Sequence, residues 1–364
     1  HNPPVLKPQK HFECILYTGD GASVREVTGL EFQPDMVWVK SRSQSSTNHG
    51  LTDSVKTDPS YPTNITMLYP NLTNAETGGG NYFAMKTSSG RDSFLPDGFL
   101  LNNNTSGNNN GSTYVAWCWK AGGAAVSNSD GAITSSVSVN DEAGFSIVSY
   151  SGNGNSTATI GHGLSKAPKW IITKCRSTST HADWVVWHER LSDNKNLYLN
   201  QQNAEGTPSY GHITNPTSTL INVSKGSGNQ TNASGQTYIS YCWAEIPGYS
   251  KFGSYTGNGS TNGFYVHLGF RPAWVMVKRY DGGGQGWNIF DNKRNTFNLV
   301  DEFLIANSSN AEATGSALNL DFLSNGIKFR GSDGGSNTSG SDYIYMVFAE
   351  QPGTTSFETF PNSR

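Results

Sequence analysis

Charge is scarce in this chain. Asp, Glu, Lys and Arg make up 15% of its 364 residues, against about 25% in an average globular protein. No run of Lys or Arg occurs, and a formal charge of −3 leaves no electrostatic footprint for coating nucleic acid. Long apolar runs are missing too. The longest, such as Trp274–Val277 and Ile344–Ala349, are strand-sized, so no membrane insertion is expected. No signal-peptide pattern opens the chain, and its first residue is His1 rather than Met, which fits a processed or shortened N-terminus. Cysteine is sparse: Cys14, Cys118, Cys175 and Cys242 show neither zinc-type nor C-x-x-C spacing. Cys118 and Cys242 lie in "YVAWCWKA" and "YISYCWAE", which reads as buried thiols acting as small hydrophobes. A disulfide scaffold of this size would be richer in Cys. Sustained helical periodicity is absent as well; Val300–Ala313 suggests one or two turns at most.

What is present is glycine (41 residues), abundant Ser, Thr and Asn, and 12% aromatics. That mixture suits an all-β protein, with aromatics filling thin cores and small polar residues turning corners.

The chain repeats itself. "YTGDG" (Tyr17–Gly21) recurs as "YSGNG" (Tyr150–Gly154) and "YTGNG" (Tyr255–Gly259). After each comes a proline opening an apolar run that ends in Lys: "PDMVWVK" (Pro34–Lys40), "PKWIITK" (Pro168–Lys174) and "PAWVMVK" (Pro272–Lys278). Asn-Ala-Glu follows at Asn74–Glu76, Asn203–Glu205 and Asn310–Glu312, then a closing strand from Gly111, Gly235 or Gly340. Four markers in one order, three times over, predict three tandem antiparallel β-sandwich modules. Their expected bounds are 11–122, 144–248 and 249–351. A small-residue linker is expected at 123–143, with a short strand at Ala132–Val139. The second and third modules touch through "IPGYSK" (Ile246–Lys251), so they are expected to pack as a rigid pair. Residues 1–10 read as an extended arm and 352–364 as a tail, both candidate partner contacts. Asp97-Gly98 and Asn325-Gly326 mark hairpins; the middle module has "STLINVSKG" (Ser218–Gly226) instead.

These markers resemble a domain of unknown function that recurs in structural proteins of marine bacteriophages. "GLEFQPDMVWVKSRS", "SFLPDGFLL", "GYSKFGSYTGNG", "GFRPAWVMVKR" and "DFLSNGIKFRG" carry the resemblance, which spans nearly the whole chain. It implies a virion component at the particle surface, such as a tail fibre, tail-associated adhesin or head decoration.

The Y-x-G-x-G loops are followed by no helical segment and carry no G-K-[ST], so they read as strand-to-strand turns rather than phosphate loops. The segments "HGLTDSVK" (His49–Lys56), "WVVWHERL" (Trp184–Leu191) and "WNIFDNKR" (Trp287–Arg294) align, placing Asp53, His188 and Asp291 at one position. An acid or base there suits proton transfer, and Trp184 or Trp287 suits stacking of a sugar. Trp184, His188, Trp287 and Asp291 are therefore the candidate glycan-binding residues. The bland alternative is a polar group closing a turn or pairing with Lys56, Arg190 or Arg294. Glu76, Glu205 and Glu312 read as acceptors for backbone N–H groups in a long loop. No metal-ligand spacing and no G-x-S-x-G elbow occurs, so neither a cofactor nor a metal is expected. The Asn-rich loops at Asn102–Ser112 and Gly226–Gly235 fit both recognition and plain solvation. About a dozen N-x-[ST] matches, among them Asn64, Asn71, Asn232 and Asn337, are mostly compositional.

The expectation is a non-enzymatic virion protein with a scaffold and adhesion role. Its expected partners are other virion proteins, further copies of itself through β edges or terminal arms, and host surface glycans. The alternative is a secreted lectin-like or polysaccharide-cleaving protein.

Overall fold

The computed structural model describes residues 6–56, 66–78, 83, 93–102 and 105–350. In the first module the main sheet sets β1 (Phe12–Thr18) beside β9 (Thr113–Trp119), then β3 (Met36–Ser41) and β4 (Gly50–Asp53). A smaller sheet of β2 (Val24–Thr28), β8 (Gly98–Asn102) and β7 (Phe94–Leu95) lies over it, and β5 (Thr66–Met67) pairs with β6 (Thr77–Gly78). The second main sheet runs β12 (Phe145–Ser151), β19 (Thr237–Trp243), β14 (Trp170–Cys175), β15 (Val185–His188), β16 (Leu197–Tyr198). Its cover is β13 (Thr157–Gly161), β18 (Leu220–Lys225) and β17 (Gly211–Thr214). The third runs β20 (Ser250–Thr256), β28 (Asp342–Ala349), β22 (Pro272–Arg279), β23 (Asn288–Asp291), β24 (Glu302–Ile305), β25 (Ala313–Thr314). Over it lie β21 (Tyr265–His267), β27 (Gly326–Phe329) and β26 (Leu320–Leu323). The ladders are antiparallel, and the fold is all β, with a single turn of α-helix among the described residues, at Thr105–Asn108.

The stretch 123–143 does not act as a linker. It supplies β10 (Val126–Asn128) and β11 (Ser135–Asn140), which extend the second main sheet beyond β12. Alternation sets Ser135, Val137 and Val139 on one face, where Val137 is buried, and Ser136 and Ser138 on the other.

Both faces of each main sheet are covered. Val37 and Val39 pack under the first small sheet, whereas Met36 and Trp38 point to a cluster shared by all three modules. Trp170 and Ile172, and Trp274 and Met276, enter the same cluster, with Ile171, Val275 and Val277 on the opposite faces. The closing strands add Trp117, Trp119, Tyr241, Trp243, Met346 and Phe348. The expected pair of modules is thus a trio around one core. The physical reason lies in the post-proline runs: they are apolar at successive positions, and a strand so patterned must bury both faces.

The D/N-G hairpins form with a two-residue loop that ends before the glycine: Leu95 pairs with Gly98 and Leu323 with Gly326. A Cβ on Gly98 would lie 1.9 Å from the Val27 carbonyl oxygen, and one on Gly326 would lie 2.2 Å from that of Val266. Close approach of the neighbouring strand, not the turn, demands these glycines. The middle module makes the same hairpin, β17 to β18, through a longer loop that the Thr217 N–H to Leu220 oxygen bond tightens. Residues Pro8–Lys10 form a 3-10 turn with Pro8 buried, and Leu6 packs on the central cluster. This part of the expected arm is therefore docked; residues 1–5 and the tail 352–364 lie outside the described residues. All four cysteines are free and buried.

Candidate functional site

The aligned polar positions converge where modules meet. Asp53 Oδ1 accepts the backbone N–H groups of Val55 and Lys56, and its Oδ2 faces Lys56 Nζ at 3.2 Å. Asp291 repeats this with Lys293 and Arg294, and Arg294 Nε donates to Oδ2 at 2.6 Å. In both cases the second oxygen also accepts from another module: Tyr241 Oη donates to Asp53 at 2.6 Å, and Trp117 Nε1 to Asp291 at 3.1 Å. His188 closes its turn by accepting the Arg190 N–H on Nδ1. The residue of β28 equivalent to Trp117 and Tyr241 is Met346, which has no proton to donate, and His188 Nε2 has no partner. Burial, with Arg190 and Lys169 nearby, depresses His188 to about 3.

The indoles behave likewise. Trp184 Nε1 donates to the carbonyls of Tyr69 and Leu72, and Trp287 Nε1 to that of Tyr198. His49 stands at the same place in the first module. Its Nδ1 accepts from Trp38 Nε1 at 2.9 Å, so its proton sits on Nε2, which points to the carbonyls of Ile305 and Ser308. Burial and neighbouring Lys40 depress His49 to about 3. Trp184, His188, Trp287 and Asp291 each have 0% of their surface exposed. As placed, none offers a face to a sugar; their polar atoms hold the neighbouring module or their own turn.

Two more repeated markers complete the clasp. Lys40, Lys174 and Lys278 each cap the carbonyl of the next residue and reach toward a loop of another module, at Ser309, Thr73 and Gln202 respectively. Burial lowers each amine to about 8. The Asn-Ala-Glu glutamates lie in those loops. Their N–H groups donate across the interface, Glu76 to Arg176, Glu205 to Tyr280 and Glu312 to Arg42. Arg176 and Arg42 return the contact to the carboxylates of Glu76 and Glu312. Glu205, opposite a tyrosine, accepts instead from the backbone and hydroxyl of Ser192. Only Glu205 matches the expected acceptor of a backbone N–H; the other two carboxylates grip arginines. The pairing keeps one order around the ring: the lysines of modules one, two and three reach loops of modules three, one and two, and the glutamate N–H of each loop donates back.

The Y-x-G-x-G loops are internal corners. Tyr17, Tyr150 and Tyr255 donate to the carbonyls of Gly107, Thr231 and Ser336. They stack at 5.0 Å on Tyr114, Tyr238 and Tyr343. Asn108, Asn232 and Asn337 then bind both sides of the turn, each accepting from the residue after the first glycine. The second glycine has φ of 68°, 77° or 67°, while the first has no room for a Cβ, 2.1–2.3 Å from a backbone oxygen. Asn232 and Asn337 are thus buried braces rather than glycan acceptors, Asn71 is buried and bonded to His49 and Asn48, and Asn64 lies outside the described residues.

The central cluster encloses a cavity of about 10 Å³ between Trp38, Trp119, Trp184, Trp243 and Trp274. That is about the room of one water, and the lining is apolar side-chain surface. Among the described residues no group of three His, Cys, Asp or Glu side chains is placed to hold a metal, and no helix is long and apolar enough to cross a membrane.

The signal that sequence reading missed was the pairing of variation. The position that is Asp, Asp and His changes together with the Tyr, Trp and Met of another module, and Arg, Arg and Tyr face the three glutamates. The model of the family described as a domain of unknown function, DUF7483, matches residues 7–352 as one span. No curated protein and no solved structure matches the chain.

Proposed function

This chain belongs to the DUF7483 family, and on that premise we propose that it is a non-enzymatic scaffold and adhesion component of a bacteriophage virion, carried on the particle surface. The observation that carries the reading is the fate of the repeated polar residues. Asp53, Asp291, Glu76 and Glu312 are all engaged by cations or donors within the protein, so the residues most suited to acid–base work are committed to holding modules together. The likeness of the repeat markers to bacteriophage structural domains supports the particle assignment. A family match that runs through all three modules supports the triple as the working unit. Partners would then be met through loops and sheet edges.

Two measurements test this. Gold-labelled antibody against the purified chain should decorate intact bacteriophage particles encoding it, and particles that stay unlabelled while the free chain is secreted would overturn the assignment. Incubation with bacterial surface polysaccharides should release no reducing ends. Release of reducing ends that a heat-denatured sample does not give would make the protein an enzyme.

A further inference from the structure

The three modules differ at one side of the sandwich. In the second, the chain itself closes that side: β11 pairs along the whole of β12, and Ile133 bridges to Ile160 of β13. Val137 and Val148 are cross-strand partners and both are buried. Val139 completes the plug, its methyl group 2.5 Å from where a Cβ on Gly163 would sit.

The equivalent side of the first module is uncovered among the described residues. β1 ends its sheet and β2 ends the small sheet above it. Gly29 holds the place of Gly163, and nothing lies within 4 Å of its Cβ direction. Ile15, the counterpart of Val148, is only partly buried. Leu16 on β1 and Val24 on β2 are 37% and 42% exposed. Leu16 and Val24 point away from the gap between the two sheets, and Arg25 of β2 crosses its far end to the Thr18 carbonyl and Asp20, so the edge left for a strand to add to is the β1 backbone beside Ile15.

The third module is open at the same side but guarded. Gly253 replaces Ile15, and the Tyr345 ring lies across it, with the hydroxyl 2.5 Å from a Cβ built there. Lys251 on the same strand holds its amine over the His267 carbonyl. β1 carries a charge at the same position, Glu13, but Lys293 of the third module holds that carboxylate, whereas the Lys251 amine stays on its own edge, where a charge resists strand addition.

We propose that the β1 edge of the first module is a strand-accepting site, filled by an extended, uncharged segment of another protein in which β-branched residues alternate with small polar ones. The occupant's chemistry follows from β11, whose "SSVSVN" fills the corresponding edge. Its strand would lie antiparallel to β1, setting one valine-like side chain over Ile15 and the next beside Gly29. This deepens the assembly reading above and rests on it for its purpose, but strand binding is read directly, so its failure would leave particle assignment to the labelling experiment.

The probe is a synthetic peptide with the sequence of Gly131–Asn140, added to the full chain. Hydrogen exchange should show protection of the β1 and β2 amides by at least tenfold at saturating peptide, with β20 and β21 unchanged. The backbone groups of β1 alternate: the His11 carbonyl accepts the Lys120 N–H and the Gly19 N–H donates to the Ser112 carbonyl, so odd-numbered residues face β9 and Leu16 presents its N–H to the open side. Leu16→Pro should abolish the protection while leaving the β1–β9 pairing and the thermal melt intact. Ile15→Asp, which keeps every N–H, should weaken peptide binding at least tenfold. Absence of protection, equal protection of β20, or binding untouched by both variants would overturn the proposal. So would concentration-dependent self-association that protects β1 without peptide, since the occupant would then be a second copy.

Discussion

Two of the three module junctions carry a buried carboxylate gripped from both sides, and the third carries a neutral histidine. At Asp53 and Asp291 the local turn supplies a cation and the neighbouring module supplies an O–H or N–H. At His188 the turn gives a backbone N–H, Nε2 has no partner, and the residue equivalent to Tyr241 and Trp117 is Met346, which has no proton to donate. A buried carboxylate is tolerable only when its charge is matched and its lone pairs filled. Where the neighbour has no donor, a residue that can stay uncharged is the sounder choice. The comparison teaches that the junctions are built to one plan but differ in how much electrostatics they contain, and each can be tested against the others.

The sharpest break comes at Asp291. Replacing it with Ala leaves Arg294 buried without its nearest anion and Trp117 without an acceptor. Denaturant titration should show a loss of about 3–5 kcal/mol, the range for breaking a buried ion pair. Retained stability would mean that Glu312, 3.1 Å from Arg294, suffices alone. Tyr241→Phe removes only the donor across the other carboxylate junction. It should lower stability by about 1–3 kcal/mol, the cost of an unmet buried acceptor. A change too small to measure would show Lys56 to be the sole partner that matters.

Acid should distinguish the third junction. His49 and His188 are held near 3 by burial, whereas an unfolded histidine titrates near 6.5. Between these values the unfolded chain binds more protons, so stability falls as pH drops from about 6.5 toward 3, by up to about 1.4 kcal/mol per pH unit per histidine. His188→Leu should remove one histidine's share of that slope, read by denaturant titration at several pH values. An unchanged slope would mean that His188 is already protonated when folded. At neutral pH the same variant should cost about 1 kcal/mol, because the part-buried Arg190 N–H loses its acceptor on Nδ1 while Nε2 has no partner to lose.

Much of the architecture could be read in advance. The repeated Y-x-G-x-G, post-proline strand, Asn-Ala-Glu and closing strand mark elements that recur in the same strand order. The tyrosine corners sit where the glycines announced turns. What misled was reading Trp184 and Trp287 within their own module, where an aromatic beside a polar group resembles a sugar platform. Their indoles donate to carbonyls more than a hundred residues away in one case, from Trp184 to Tyr69. In 123–143 the strand expected at Ala132–Val139 forms as β11, Ser135–Asn140, while the small residues around it hid β10 and the pairing with β12 that makes the stretch part of the second sheet rather than a linker. The apolar runs ending in Lys40, Lys174 and Lys278 did hold a clue, since continuous apolar strands bury both faces.

By itself the sequence determined the all-β class, the threefold repetition, the corners and the absence of charge for a nucleic-acid surface, because these depend on residue type and on spacing along the chain. Only the tertiary structure decided that the modules close around one core of tryptophans, that Asp53, Asp291, Glu76 and Glu312 answer donors in another module, and that, among the described residues, β1 ends its sheet where β12 is covered. Those features depend on which faces meet, and spacing along one strand carries no record of its neighbour across the ring.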